Sequence, residues 1–251
     1  MSKPLNDLSI IILSGGFGTR IRETIGQIPK ILAPINNKLF IDYFIDWIKP
    51  LTCLENTNLI FSLFYKSSLV VKYIEKNLPK ANFIIDSKPY GTFGAVCNSA
   101  ISFPSENYLV LNGDTIFQNK FKKNYDLFLS EPNVPLLILK KCINNSRYGG
   151  YLKFNNKWRF SEDNINAISL GAYFISRKEL VRRWKLSTGL DFFKYNLDLP
   201  NQKLLMNDKD CLSIDPVNGV LLDAETPFVD IGIRSSFIDA QKLIPSILMR
   251  F

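Results

Sequence analysis

Residues 8–13 read LSIIIL and stop at Ser14-Gly15-Gly16. A nearly continuous apolar run has no polar face to give to water, so the strand it forms is covered on both sides, as an inner strand of a parallel sheet is. Parallel strands need long crossovers, and helices usually supply them. The first strand therefore commits the chain to strands and helices alternating around a buried sheet.

The following segments keep to that commitment. From Leu39 on, Phe40, Ile41, Phe44, Trp47 and Ile48 recur at three- and four-residue spacings, which predicts a helix ending at Lys49-Pro50. A strand over 58–64, a helix over 69–78 closed by Pro79, a strand over 82–85, a helix over 91–101 and a strand over 108–111 continue the alternation. Beyond Asp114 the pattern changes. Residues 134–139 are strand-like, 151–154 and 157–160 flank Asn155-Asn156 as a hairpin, and 167–175 form a further strand. A helix over 179–184, a strand near 220–222, a loop over 227–232 and a helix over 235–248 complete the reading. No linker or repeat divides the chain, so one domain over residues 1–251 is expected. Its class is α/β, with three α/β/α layers, a mostly parallel mixed sheet, and a ligand outside the carboxyl ends of the strands.

Composition removes much chemistry. The chain has no histidine, which excludes a Ser-His-Asp triad, a Cys-His dyad, the HExxH zinc motif and any histidine-ligated metal. Cys53, Cys97, Cys142 and Cys211 are too far apart for a CxxC pair and read as buried free thiols. The net charge of +8 favours an anionic partner. The basic residues are scattered, however, with small clusters at Lys120, Lys122, Lys123 and at Arg177, Lys178, Arg182, Arg183, Lys185, the second spaced like a solvated helix face. No recognition helix or stacking motif accompanies them, so phosphorylated small molecules are expected rather than nucleic acid. No apolar run is long enough to insert in a membrane. The start of the chain lacks the features of a secretory signal, so a cytoplasmic location is expected.

Four constellations carry chemistry. Ser14-Gly15-Gly16-Phe17-Gly18-Thr19-Arg20 follows the first strand directly, and a glycine-rich turn there lets backbone N–H groups approach a phosphate, or simply reverses the chain. It is neither familiar nucleotide loop: Ile21 stands where G-x-G-x-x-G needs its last glycine, and no G-x-x-x-x-G-K is present. Pro29 fixes the backbone before Lys30, whose ammonium could serve the same loop as a point charge. Asn112-Gly113-Asp114 and Val229-Asp230-Ile231-Gly232 each place a carboxylate after apolar residues. The two aspartates could converge on Mg²⁺, or each could merely cap its own turn.

Together these residues resemble the sugar nucleotidyltransferases, the nucleoside-diphosphate-sugar pyrophosphorylases. Gly15-Gly16-Phe17-Gly18-Thr19-Arg20 with Pro29-Lys30 is similar to the family's G-G-x-G-T-R…P-K signature. Pro89-Tyr90-Gly91-Thr92 with Gly94-Ala95 is similar to its P-L-G-T-x-G-A, and Asn112-Gly113-Asp114 and Asp230-Ile231-Gly232 to its two metal-aspartate motifs. Order and spacing agree from residue 8 to about 240. Residues 28–35, Phe40-Ile41-Asp42-Tyr43 and Arg147-Tyr148-Gly149 most resemble the D-glycero-α-D-manno-heptose 1-phosphate guanylyltransferases within that family.

The resemblance implies a Rossmann-like nucleotidyltransferase fold and a Mg²⁺-dependent reaction in which a nucleoside triphosphate and a sugar 1-phosphate give a nucleotide sugar and pyrophosphate for surface glycans. GTP and the heptose 1-phosphate are the best-matching pair. It also implies roles. Arg20 steadies the pyrophosphate, Lys30 contacts the α-phosphate and the attacking phosphate, and Asp114 with Asp230 holds the metal. Leu13, Gly15, Gly16, Gly18, Thr19, Gly91 and Thr92 face the nucleotide; Asn112, Tyr148, Gly149, Glu162 and Ser169 face the sugar. Some positions depart from the family pattern: Phe93 replaces a glycine, Asp86 shortens the acid before the second motif, Glu162-Asp163 stands for a Glu-Lys pair, and Ser169 stands for an asparagine.

Two alternatives accompany this reading. One is a nucleotidyltransferase that uses another sugar or non-sugar phosphate with CTP, UTP or dTTP. The other is a non-catalytic nucleotide-binding relative, which Asp163 and Phe93 suggest. The apolar residues of the last helix suit either a core or a homo-oligomer interface.

Overall fold

A computed structural model describes residues 6–52, 57–142, 150–192 and 206–248. Strand β1 (Asn6–Leu13) opens the chain, followed by the short helix α1 (Arg22–Ile25) and the two-residue strands β2 (Pro34–Ile35) and β3 (Lys38–Leu39). Then come α2 (Phe40–Thr52), β4 (Thr57–Leu63), α3 (Ser67–Asn77), β5 (Asn82–Ile85), α4 (Gly91–Ser102), β6 (Ser105–Asn112), β7 (Thr115–Phe117) and α5 (Phe121–Ser130). The second half contains β8 (Leu136–Lys141), β9 (Gly150–Phe154), β10 (Lys157–Ser161), β11 (Ala167–Ser176), α6 (Arg177–Thr188), α7 (Asp208–Leu212), β12 (Asn218–Leu222), β13 (Phe228–Asp230) and α8 (Arg234–Leu248).

Among the described residues the central sheet has nine strands, and its path runs β10-β9-β11-β6-β1-β4-β5, with β8 joined to β11 and β12 joined to β8. The strands β6, β1, β4 and β5 are mutually parallel, as the apolar β1 requires, while β11 runs antiparallel to β6 and brings in the antiparallel remainder. Alternate residues of each strand serve opposite cores. Ile10, Ile12, Leu109, Leu111 and Phe174 face a core with α2, α3, α5 and α8; Ile11, Tyr108, Val110, Tyr173 and Ile175 face a second one with α4, α6 and α7. The strand period of two thus generates the three layers.

Local expectations are corrected at four places. The segment 227–232 is not all loop: β13 pairs antiparallel with β7, a partner too distant in sequence for local pattern to show. Helix α2 runs past Lys49-Pro50 to Thr52, because a proline in the last turn removes one hydrogen bond without blocking the residues that follow it. Helix α5 carries Phe121, Asn124 and Phe128 on its buried side and was hidden beneath the Lys122-Lys123 cluster. Arg183 is no solvated residue, since it is 1 % exposed and its Nε donates to the buried Glu179 carboxylate at 2.6 Å. Of the thiols, Cys97 and Cys211 are buried, Cys142 is half-buried, and Cys53 lies outside the described residues.

Candidate active site

At the carboxyl ends of β1, β4 and β6 lies a cavity of about 400 Å³. Ser14 N–H donates to the Ser62 carbonyl at 2.9 Å, and Gly113 N–H donates to the Leu13 carbonyl at 2.9 Å, so the loop after β1 is held between its two parallel neighbours. The close approach depends on Gly113: a Cβ there would stand 2.5 Å from Ser14 Oγ and 2.8 Å from the Leu13 carbonyl oxygen. Leu13, Gly15, Gly16, Gly91 and Thr92 line the cavity together with Lys30, Asn112 and Asp114.

Lys30 Nζ forms an ion pair with Asp114 Oδ2, both side chains about one-fifth exposed. Thr115 Oγ donates to the other Asp114 oxygen at 3.2 Å. The second aspartate reaches the same region through the backbone: Asp230 pairs with Thr115 across the β7–β13 ladder, and Ile231 N–H donates to the Asp114 carbonyl at 3.0 Å. Asp230 Oδ1 accepts Gly232 N–H at 2.6 Å, which fixes its carboxylate in the turn. Asp114, in the turn before β7, lines the cavity, and Asp230, at the end of β13, stands next to it outside the lining; two such oxygen donors, with a lysine beside the first, suit a Mg²⁺ that completes its shell with water and substrate phosphate.

Gly18 packs on the aliphatic stem of Lys30, while Thr19 and Arg20 are exposed on the loop and are not part of the cavity wall. Phe17 does line it, edge-on to Phe64 at 5.5 Å between centroids. Asp86 is 6 % exposed on the wall; its Oδ1 accepts Asn98 Nδ2 at 2.7 Å, and Ser62 Oγ lies 3.5 Å from Oδ2. Phe93 turns away into the core beside α4, where it is fully buried, so its ring does not obstruct the cavity.

The side expected to hold sugar is assembled from antiparallel strands. Asn112 ends β6, opposite the irregular stretch of β11 that contains Ser169, whose Oγ accepts Gly171 N–H at 3.2 Å. Glu162, just after β10, accepts Lys209 Nζ at 2.9 Å, and this hydrogen bond holds its carboxyl below the ordinary range. Lys209 Nζ also sits 4.4 Å from the centre of the Phe160 ring. Glu162, Lys209 and Ser169 lie outside the cavity's lining. Tyr148 and Gly149 lie outside the described residues.

Sequence reasoning missed Asn207, which lines the cavity just before α7. Its only local signal was the capping box it forms with Asp210. The wall residues Ser62 and Phe64 were missed as well, because the end of β4 carries no glycine or acidic motif.

Residues 9–245 match the nucleotidyl transferase family, and the chain belongs to it. Among curated relatives, a D-glycero-alpha-D-manno-heptose 1-phosphate guanylyltransferase of Aneurinibacillus thermoaerophilus is 30% identical over 244 residues, 94% of this chain and 97% of that protein. An enzyme of the same name from Campylobacter jejuni is 34% identical over 144 residues, 57% of this chain and 62% of that protein. In fold the chain resembles HddC from Yersinia pseudotuberculosis, with a TM-score of 0.67 at 25% identity over 93% of this chain and 98% of that one. An inositol-1-phosphate CTP transferase from T. maritima shares the fold, with a TM-score of 0.73 at 15% identity over 96% of each chain.

Proposed function

We propose that the chain transfers a guanylyl group from GTP to a sugar 1-phosphate, D-glycero-α-D-manno-heptose 1-phosphate being the leading acceptor, and releases pyrophosphate. The observation that carries this reading is that the glycine loop and the Lys30–Asp114 pair line one cavity, with Asp230 held next to Asp114 by the β7–β13 ladder. A phosphate oxygen of the sugar phosphate attacks the α-phosphorus, a new P–O bond forms, and the bond to the β-phosphate oxygen breaks. A phosphate monoester loses its second proton near pH ~6, so the nucleophile is already anionic at neutral pH and needs no general base. A chain without histidine can run such a reaction, because the chemistry asks mainly for in-line placement and for positive charge on the phosphates.

Lys30 contacts the α-phosphate and the attacking phosphate, while Arg20 and the glycine loop take the leaving pyrophosphate. Asp114 and Asp230 would hold Mg²⁺, which supplies further positive charge to the phosphates when bound. The 30% relative supports the choice of guanylyl and heptose. Asp86 supports guanine on chemical grounds. A carboxylate is an acceptor without donors, and guanine is the base whose pairing edge offers two adjacent donors, N1–H and N2–H. Asn112 on the cavity wall, with Ser169 opposite it and Glu162 with Lys209 beyond, would face the sugar.

The test is pyrophosphate release with Mg²⁺, screening GTP, CTP, UTP, ATP and dTTP against a panel of sugar 1-phosphates that includes the heptose. Release with GTP and the heptose phosphate above every other pair is expected. Equal or faster release with another pair would reassign the substrates. Nucleotide binding without release from any pair would favour a non-catalytic relative.

A further inference from the structure

Residues 206–208 close on the amino end of α4 like a clasp. Phe93 N–H and Gly94 N–H both donate to the Met206 carbonyl, at 3.0 and 3.3 Å, and Met206 N–H donates to the Tyr90 carbonyl at 2.9 Å. Gly91 makes the contact practicable: its φ is +77°, and a Cβ there would collide with the Met206 backbone. Two residues further along, Asp208 N–H donates to Thr92 Oγ at 2.9 Å. The Asp208 carboxylate accepts the Tyr173 hydroxyl at 2.7 Å and bonds the Thr92 side chain as well. The hydroxyl of Thr92, a cavity-lining residue, is thus committed as donor to the carboxylate and as acceptor to the N–H. What remains for a ligand is a single acceptor lone pair.

We propose that Asp208 is a positioning residue for the nucleotide, its ionised carboxylate fixing the Thr92 hydroxyl as a pure acceptor and holding Gly91–Gly94 against the clasp. This deepens the guanylyl-transfer reading and rests on it. The matching ligand group is a donor on the nucleoside, either a ribose hydroxyl or a base N–H. Neutralising the carboxylate would let the Thr92 hydrogen turn elsewhere, and the site would lose a fixed acceptor.

The setting of Asp208 shows that fold stability is not what its charge serves. Burial is the main influence on this carboxyl and pushes it up to about 6, against the smaller opposing effects of its bonds to Tyr173 and Thr92. A charge held there at neutral pH weakens the fold. Several groups pack around it. Burial pushes Tyr173 of β11 and Cys97 of α4 well up, Tyr151 of β9 up, and Cys211 of α7 up to about 12. Arg183 of α6 is engaged with Glu179, Asp210 accepts Asn207 N–H at 3.2 Å, and Lys209 is paired with Glu162.

The experiment is calorimetric measurement of the GTP dissociation constant for the full chain and for Asp208→Asn between about pH 5.5 and pH 7.5. At the upper end the variant is expected to bind about ten-fold more weakly, the equivalent of one charge-assisted hydrogen bond, with a melting temperature unchanged or raised. Toward the lower end the two proteins should converge, because protonated Asp208 resembles asparagine. The nucleotide phosphates titrate identically in both titrations, so the ratio isolates the protein group. Should Asp208→Asn fail to fold, Thr92→Val on intact Asp208 must show the same weakening and the same convergence. A ratio that stays at one, or one that does not change with pH, would overturn the inference alone. Absence of nucleotide binding to the unaltered chain would overturn both it and the transfer reading.

Discussion

The cavity and the antiparallel region beside it are built by different means. On the side proposed for the nucleotide, parallel β1, β4 and β6 end together and hand over to wall residues that are contiguous with them: 14–17 after β1, Phe64 after β4 and 113–114 after β6. On the opposite side, beyond the cavity's own lining, polar groups come from separate antiparallel strands and from α7, and are joined by contacts such as Glu162–Lys209 and Tyr173–Asp208; Asn112 and Asn207 are the points at which these regions meet the cavity. A parallel strand end offers a concave edge with unpaired backbone donors, so a short glycine motif suffices to make an anion site. An antiparallel extension offers no such edge, and specificity there has to be assembled side chain by side chain.

That contrast can be broken or sharpened by variants. The largest effect is expected for Asp114→Asn or Asp230→Asn. Each should keep a wild-type circular dichroism spectrum and lose at least about a hundred-fold in Mg²⁺-dependent kcat, the scale of losing one charge-stabilising group. Near-normal rates in both would remove the metal assignment.

Next comes the pH dependence of stability. Because the folded-state carboxyl of Asp208 stands near 6 while an exposed aspartate stands lower, the native state binds the extra proton. Its contribution is therefore full at acid pH, below the unfolded value, and is lost as pH rises through about 6. Denaturant titrations should show the chain gaining on the order of 2 kcal/mol relative to Asp208→Asn between pH ~7 and pH ~4. No relative gain would mean that the carboxyl is solvated.

Asp86→Asn exchanges one acceptor oxygen for a donor, so the preference for GTP over ATP in kcat/KM should fall about ten-fold. An unchanged preference would move base selection elsewhere in the cavity. The smallest effect belongs to the antiparallel side. Lys209→Ala should raise KM for the sugar phosphate about three-fold and leave the GTP constant alone, as suits an exposed ion pair. Asp163→Lys should raise activity if that position faces the sugar phosphate, and a fall in a folded variant would mean that the Lys209 arrangement already fills this role.

The same contrast decides what could be read from the sequence. The apolar β1, the glycine loop, Pro29-Lys30 and Asn112-Gly113-Asp114 are local patterns, and the structure brings Gly15, Gly16, Lys30 and Asp114 to one cavity. Asp230 was legible as a motif, but not the β13–β7 ladder that sets it beside Asp114, since the partners lie far apart in the chain. Phe93 was misleading for a physical reason: helical geometry points residue 93 into the core while 91 and 92 face the cavity. Lys209, Asp208 and Asn207 had no signal beyond a capping box, because their importance lies in α4, β10 and β11, to which only the folded chain brings them. Arg20 was legible as part of the loop signature, yet its side chain stands exposed outside the cavity wall.

The most direct test of nucleotidyl transfer follows the fate of the phosphates. With GTP labelled at the α-phosphate, and separately at the γ-phosphate, the account predicts α-label in the nucleotide sugar and γ-label in pyrophosphate. Label from the γ-phosphate on the sugar, or hydrolysis of GTP with neither product formed, would contradict it.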